Sequence, residues 1–204
     1  MSRPLTGNEN RPPATAEDPK PWTVKRLLEW TADYFRQARM DSPRLDAEVL
    51  LAHALGEDRL TLYLNYTEKV PDAARDVYRT LVRRRYASEP VAYLTGSREF
   101  FSMPFSVSPS VLIPRPETEH LVELALRFLH ANPHVAREGS LRILDIGTGC
   151  GNVALVLAAQ LPHARIVAAD ICGDALAVAR TNLKSRPEIR ARVSLVCGDL
   201  LEWL

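Results

Sequence analysis

The sequence predicts an α/β protein in two parts: a small helical bundle, then the first half of a parallel sheet with helices packed on it. Three observations predict it. Between residues 22 and 87, apolar residues recur at three- and four-residue spacing, the period of one helix face. After residue 140, three short apolar runs alternate with helix-like stretches, the order that builds a parallel sheet with right-handed crossovers. The first run leads into "DIGTGCGNVAL", Asp145 to Leu155, with glycine at 147, 149 and 151.

Composition sets the outer bounds. A chain of 204 residues with 46% hydrophobic and 25% charged content is ordinary for a soluble globular protein of one large or two small domains. A net charge of +1 gives no global case for nucleic acid or an anionic membrane. No run of eighteen apolar residues exists and the N-terminus lacks the layout of a secretory signal, so a cytoplasmic location is expected. Cys150, Cys172 and Cys197 contain no C-x-x-C pair, which argues against a disulfide framework or a metal site. They are expected to be small buried thiols.

In chain order, residues 1–21 hold five of the fifteen prolines and almost no bulky apolar residue, so a disordered tail is expected. The helical part, residues 22–87, opens with Thr23 as N-cap and a stripe of Val24, Leu27, Leu28, Phe35 and Ala38. A second helix has Ser42 as cap, Pro43 at its first position, Leu45, Val49 and Ala52 on one face, and Gly56 as its stop. "RLTLYLN" follows as a short apolar piece. A further helix then carries Ala74, Val77, Tyr78, Leu81 and Val82, with Arg83 to Arg85, Arg75 and Arg79 read as a solvated face.

Residues 88–116 mix aromatic and β-branched residues with Pro and Ser, and read as a hairpin and extended linker. The helical period returns from Glu117, with Leu121, Val122, Ala125, Phe128 and Leu129 on its stripe. "LRILDIG", "ARIVAADI" and "RVSLVCGD" are the strands of residues 117–204, separated by helices over Val153–Gln160 and Asp174–Lys184, the latter with Asp174 as its cap.

In such sheets the first strand-to-helix turn is where a nucleotide-like ligand meets backbone. Glycine there permits positive φ and removes the Cβ that would stand in a ligand's way. The spacing is D-x-G-x-G-x-G, and Asn152 stands where a dinucleotide fingerprint needs a small residue. Asp145 has the wrong charge for a pyrophosphate cradle and the right one for a cation. Asp170, about twenty residues on, ends the second strand where a carboxylate accepts ribose hydroxyls. Asp199 ends the third, placed for an adenine amino group, with Leu200 and Ile171 available to sandwich the ring. Three carboxylates at successive strand ends suit an adenosine-type cation without phosphates, a description that S-adenosylmethionine fits.

"RLDAEVLLAHALG" (44–56), "EPVAYLTGSREFFSMPFSVSPSVLIPRPETEHLVELAL" (89–126) and "ILDIGTGCGNVAL" (143–155) resemble the PrmC/HemK family of protein-(glutamine-N5) methyltransferases. The resemblance runs from about Val24 to the last residue. It implies a helical domain that recognises class-1 peptide chain release factors, a hairpin linker, and a class I (Rossmann-like) methyltransferase domain. That domain uses S-adenosylmethionine to methylate the glutamine of a Gly-Gly-Gln tip. By the same resemblance Gly147, Thr148, Gly149, Cys150 and Gly151 hold the methionine part of the cofactor, Asp170 the ribose, and Asp199 with Leu200 the adenine end. Phe100 and Arg115 to Thr118 would lie near the cofactor mouth. The family's catalytic signature, Asn-Pro-Pro-Tyr after the fourth strand, does not occur in this sequence, so no catalytic residue is named.

The resemblance also implies that the first strand sits between the second and fourth, so that without the fourth it is an unpaired edge, and 204 residues read as an N-terminal portion or a truncated form. A monomer without direct nucleic-acid or membrane contact is expected. The alternatives are a ribosomal-protein glutamine methyltransferase, an adenine-N6 methyltransferase, or a non-catalytic binding module whose helical domain docks a partner.

Overall fold

The structure is a computed structural model and describes residues 21–135 and 141–200. The expected disordered tail therefore lies outside the described residues, Pro21 apart. Two compact units meet between Thr95 and Gly96.

The first unit is helical. Helix α1 (Val24–Gln37) starts where expected, with Thr23 Oγ1 accepting the Arg26 N–H at 3.3 Å. Helix α2 (Pro43–Leu55) has proline in its first turn and Gly56 at φ 69° as its left-handed stop, but the Ser42 side chain makes no capping bond. The short apolar piece is itself a helix, α3 (Arg59–Leu64), because Asp58 Oδ1 accepts the Thr61 N–H at 2.8 Å and so caps it. Helix α4 (Asp72–Tyr86) follows, then α5 (Val91–Thr95), one turn within the segment read as hairpin and linker. Leu27, Leu28, Phe35, Leu50, Leu51, Leu62, Tyr78 and Leu81 form the core.

The face predicted for α2 is corrected. Leu45 is 44% exposed, whereas Asp46, Ala47, Glu48, Leu50 and Leu51 are buried together with Ala52. Charged residues at buried positions defeat a periodicity reading, and here arginines from elsewhere make the burial possible. Glu48 accepts Arg44 Nε at 2.7 Å, Arg59 Nη2 at 2.7 Å and the Tyr63 hydroxyl. Arg85 Nε donates to Asp46 at 2.8 Å, so Arg85 is half-buried instead of lying on a solvated face. Val77, placed on the α4 stripe, is exposed.

The second unit begins with a hairpin, β1 (Ser97–Phe100) and β2 (Met103–Ser106), paired antiparallel with Ser97 opposite Ser106. Its two-residue turn puts Phe101 and Ser102 at φ 52° and 58°, a mirror-image turn made without glycine. Helix α6 (Glu117–Ala131) follows, then β3 (Arg142–Ile146), α7 (Asn152–Gln160), β4 (Arg165–Asp170), α8 (Gly173–Lys184) and β5 (Val193–Cys197). The strands pair parallel in the order β3-β4-β5, with Asp145 opposite Ala168 and Asp170 opposite Cys197. Two right-handed crossovers lay α7 and α8 against the sheet.

Three expectations fail in this unit. Asp174 lies in the first turn of α8; the cap position is Cys172, whose N–H donates to Asp170 Oδ1 at 2.9 Å. Cys150 is buried, but Cys172 and Cys197 are exposed, because both sit where strands β4 and β5 run out of the sheet. On α6 only Val122 and Leu129 are buried, while Leu121, Leu124 and Phe128 are 57–61% exposed. β3 is the outer strand among the described residues, with Leu144 and Ile146 about 40% exposed. An amphipathic stripe reports only that a face is apolar; a partner surface must be present before it is buried.

Candidate binding site at the ends of the parallel strands

The glycine turn folds back over the end of β4. The Gly147 and Thr148 N–H groups both donate to Ala169 O, at 2.9 and 3.0 Å, and the Gly149 N–H donates to Asp170 Oδ2 at 2.9 Å. Gly147, Gly149 and Gly151 stand at φ 74°, 56° and 84°, where a residue with a Cβ is strained. Their surroundings differ. A Cβ on Gly147 or Gly149 would meet nothing within 4 Å, so the turn presents bare backbone to open space. A Cβ on Gly151 would touch Ala179 and Leu155 at 3.4 Å, so the third glycine serves packing at the start of α7.

Thr148 is buried, and its hydroxyl donates to Asp145 Oδ2 at 2.7 Å. Burial pushes the Asp145 carboxyl above its ordinary range, and the charge of Asp170 adds to that, against the hydrogen bond from Thr148. The two carboxylates repel across this turn, and a positive group placed there would ease the repulsion. Each oxygen of Asp170 accepts one backbone N–H, from Gly149 and Cys172, which fixes the carboxylate and leaves one lone pair per oxygen.

At the next strand end the Gly198 N–H donates to Asp170 O at 3.1 Å, bringing the β5 terminus beside Asp170. Asp199 is exposed there, Leu200 is 64% exposed at φ 42°, and Ile171 is 67% exposed. Two large apolar side chains standing free beside a carboxylate fit a flat ring. The Cys150 thiol is buried between the outer two glycines, and burial raises it above the ordinary thiol range. It is no nucleophile.

The hairpin differs from what the sequence suggested. Phe100 is 1% exposed and packs edge-on against Phe105, with ring centroids 6.2 Å apart, next to the hairpin turn. Arg115, Pro116 and Glu117 are exposed at the start of α6, and Thr118 is half-buried. Three residues escaped sequence reasoning. Glu119 Oε1 accepts the Phe101 N–H at 2.9 Å and pins the hairpin turn. Asn182 of α8 and Arg186, two residues past its end, are buried and bond the hairpin. An Asn in a helix interior, where it is a poor helix former, was the available signal for one of them.

Among the described residues no three His, Cys, Asp or Glu side chains gather as a metal site, and no helix is long and apolar enough to cross a membrane.

Comparison with known proteins is consistent with this geometry. The PrmC N-terminal domain family matches residues 26–96 and a methyltransferase domain family matches residues 143–204. A release factor glutamine methyltransferase of Rhodopirellula baltica is 45% identical over 192 residues, 94% of this chain and 64% of the relative. Another, of Geobacter sulfurreducens, is 42% identical over 188 residues, 92% of this chain and 62% of the relative. The chain thus spans a little under two thirds of the length of these relatives. A solved precorrin-6y C5,15-methyltransferase from Geobacter metallireducens overlaps 49% of this chain and 47% of its own, at 24% identity and a TM-score of 0.38. At that level the strand order, not the overlap, defines the fold.

Proposed function

From a chain that belongs to the PrmC/HemK family, we propose a part of a release factor glutamine methyltransferase, which transfers a methyl group from S-adenosylmethionine to the glutamine side-chain nitrogen of a Gly-Gly-Gln tip. The observation that carries the reading is the glycine turn. It offers bare backbone to open space between Asp145 and Asp170, and those carboxylates favour a cation of the sulfonium and ammonium kind.

In this reading Gly147 to Gly151 hold the methionine end, with Asp145 opposite its positive charges. The two remaining lone pairs of Asp170 accept the ribose hydroxyls. Asp199 accepts the adenine amino group, and Ile171 and Leu200 flank the ring. S-adenosylmethionine supplies an electrophilic methyl group. An amide nitrogen is a poor nucleophile because its lone pair is delocalised, so the acceptor must be held by groups that favour the attacking geometry. No Asn-Pro-Pro-Tyr occurs in the 204 residues, so within this chain those acceptors have no assigned residue. The helical unit recognises a class-1 release factor; the protein works in the cytoplasm as a monomer, away from nucleic acid.

Isothermal titration of the 204-residue chain with S-adenosylmethionine tests the cofactor half. Binding that is weakened in Asp170→Ala supports the reading, and equal binding by both sinks it.

A further inference from the structure

Asn182 stands near the C-terminal end of α8 and is 2% exposed. A buried amide is costly unless its polar groups are bonded, and this position could pack an apolar residue instead. All its donors are used. Nδ2 donates to Cys150 O at 2.9 Å and to Ser106 O at 3.0 Å, while Oδ1 accepts the Ser106 N–H at 2.7 Å. Toward Ser106 the amide acts as a further strand would, taking both backbone groups. Its other hydrogen reaches the carbonyl at the centre of Gly149-Cys150-Gly151. One side chain thus joins segments 76 and 32 residues away from it.

Arg186, one helical turn on, secures the arrangement. Its Nη1 donates to Asn182 O at 2.7 Å, its Nη2 donates to Pro104 O, and its guanidinium lies 4.3 Å from the Phe105 ring centroid. The far end of the hairpin holds a turn with two non-glycine residues at positive φ, conformations that persist only when their surroundings enforce them. Glu119 enforces them at Phe101, and Asn182 at Ser106 fixes the opposite end of the hairpin.

We propose that Asn182 is a positioning residue through which the glycine turn and the hairpin are coupled, so that cofactor bound in the turn orders the hairpin. The inference rests on the reading of the turn as the cofactor site. Coupling of this kind is reciprocal: whatever steadies the Cys150 carbonyl steadies Ser106, and the converse.

Amide hydrogen exchange on the 204-residue chain, with and without S-adenosylhomocysteine, tests it in the parent, Asn182→Ala and the near-isosteric Asn182→Asp, which keeps an acceptor for Ser106 and loses both donors. In the parent, the ligand is expected to slow exchange at the turn amides and at Ser106 together. In the ligand-free variants, exchange at Gly151 rises about tenfold in both and exchange at Ser106 rises about tenfold in Asn182→Ala, where its acceptor is gone, while the central amides of β4 are unchanged. In the ligand-bound variants the turn is still protected, and the ligand adds no protection at Ser106. Three results would overturn the proposal: ligand protection of Ser106 that persists in both variants, parent protection confined to the turn, or faster exchange spread through the whole sheet. If S-adenosylhomocysteine protects no turn amide in the parent, the cofactor reading is what fails. The ligand-free comparison then decides the linkage, which stands if Gly151 accelerates with Ser106 and falls if Ser106 accelerates alone.

Discussion

Asp145 and Asp170 lie on either side of one turn and do different work. Asp170 is held by two N–H groups and is hard to replace: in Asp170→Ala the Gly149 and Cys172 donors lose their acceptor along with any ribose partner. A loss of about 2–4 kcal/mol in S-adenosylmethionine binding is expected, measured by calorimetry. Asp145 is the strained member. Burial is the main cause that holds its carboxyl above the ordinary carboxylate range in the folded protein. A carboxylate raised on folding favours the folded state when protonated, so this contribution is full below the unfolded value and is lost as pH rises through the folded one. Asp145→Asn keeps an oxygen for the Thr148 hydroxyl without the charge. It is expected to flatten that part of the pH–stability curve and to weaken cofactor binding at neutral pH, and a variant that binds as tightly as the parent would remove Asp145 from the cation site.

Among the elements, α2 shows most clearly what a periodicity reading can and cannot reach. Its proline start and glycine stop were legible because they depend on local backbone geometry. Its buried face was not, because Glu48 is buried only on account of Arg59 and Tyr63, eleven and fifteen residues away. Burial disfavours the Glu48 charge, but the bonds from Tyr63, Arg59 and Arg44 outweigh it and hold the carboxyl below its usual range. That stabilisation is present above the unfolded pKa and is lost as pH falls through the folded value. Glu48→Ala leaves two arginines and a hydroxyl without their acceptor; water can reach the arginines, so about 1–3 kcal/mol of stability should go with it in urea unfolding. Breaking the exposed Arg84–Glu89 pair should cost far less, because water screens both side chains. Equal costs for the two pairs would mean that burial is not what sets them apart.

The glycine turn makes the same point at the scale of one loop. The D-x-G-x-G-x-G spacing announced positive φ, and the backbone adopts it at all three glycines. The division of labour among the glycines could not be read, since only the fold brings Ala179 to Gly151. Gly149→Val is expected to abolish cofactor binding, through strain at φ 56° and a side chain in ligand space, while leaving the second unit folded by circular dichroism. Retained affinity in the folded variant would assign the turn to packing alone.

At the scale of the whole molecule, both parts of the α/β reading were legible, because three strands alternating with helices admit few arrangements. The apolar faces of α6 and β3 were legible as apolar, and their exposure was not, because exposure depends on which neighbours are present. Those faces and the reaction pose one question. In the proposed reading Gly147 to Gly151, Asp170 and Asp199 address the cofactor, yet no Asn-Pro-Pro-Tyr occurs in the 204 residues to hold the acceptor amide. Cofactor affinity without amide orientation leaves the nitrogen lone pair conjugated and the barrier high. The purified 204-residue chain should therefore leave a release factor unmodified. Extension through a family-like fourth strand and its Asn-Pro-Pro-Tyr should place that strand along β3, cover Leu144 and Ile146, and restore transfer. Mass spectrometry of the release factor after incubation with S-adenosylmethionine reads the outcome as one added methyl on the Gly-Gly-Gln glutamine. A rate from the 204-residue chain equal to that of the extended one would mean that some residue within it orients the amide, and the search would then begin at the exposed Arg115 to Glu117 segment and the hairpin turn pinned by Glu119.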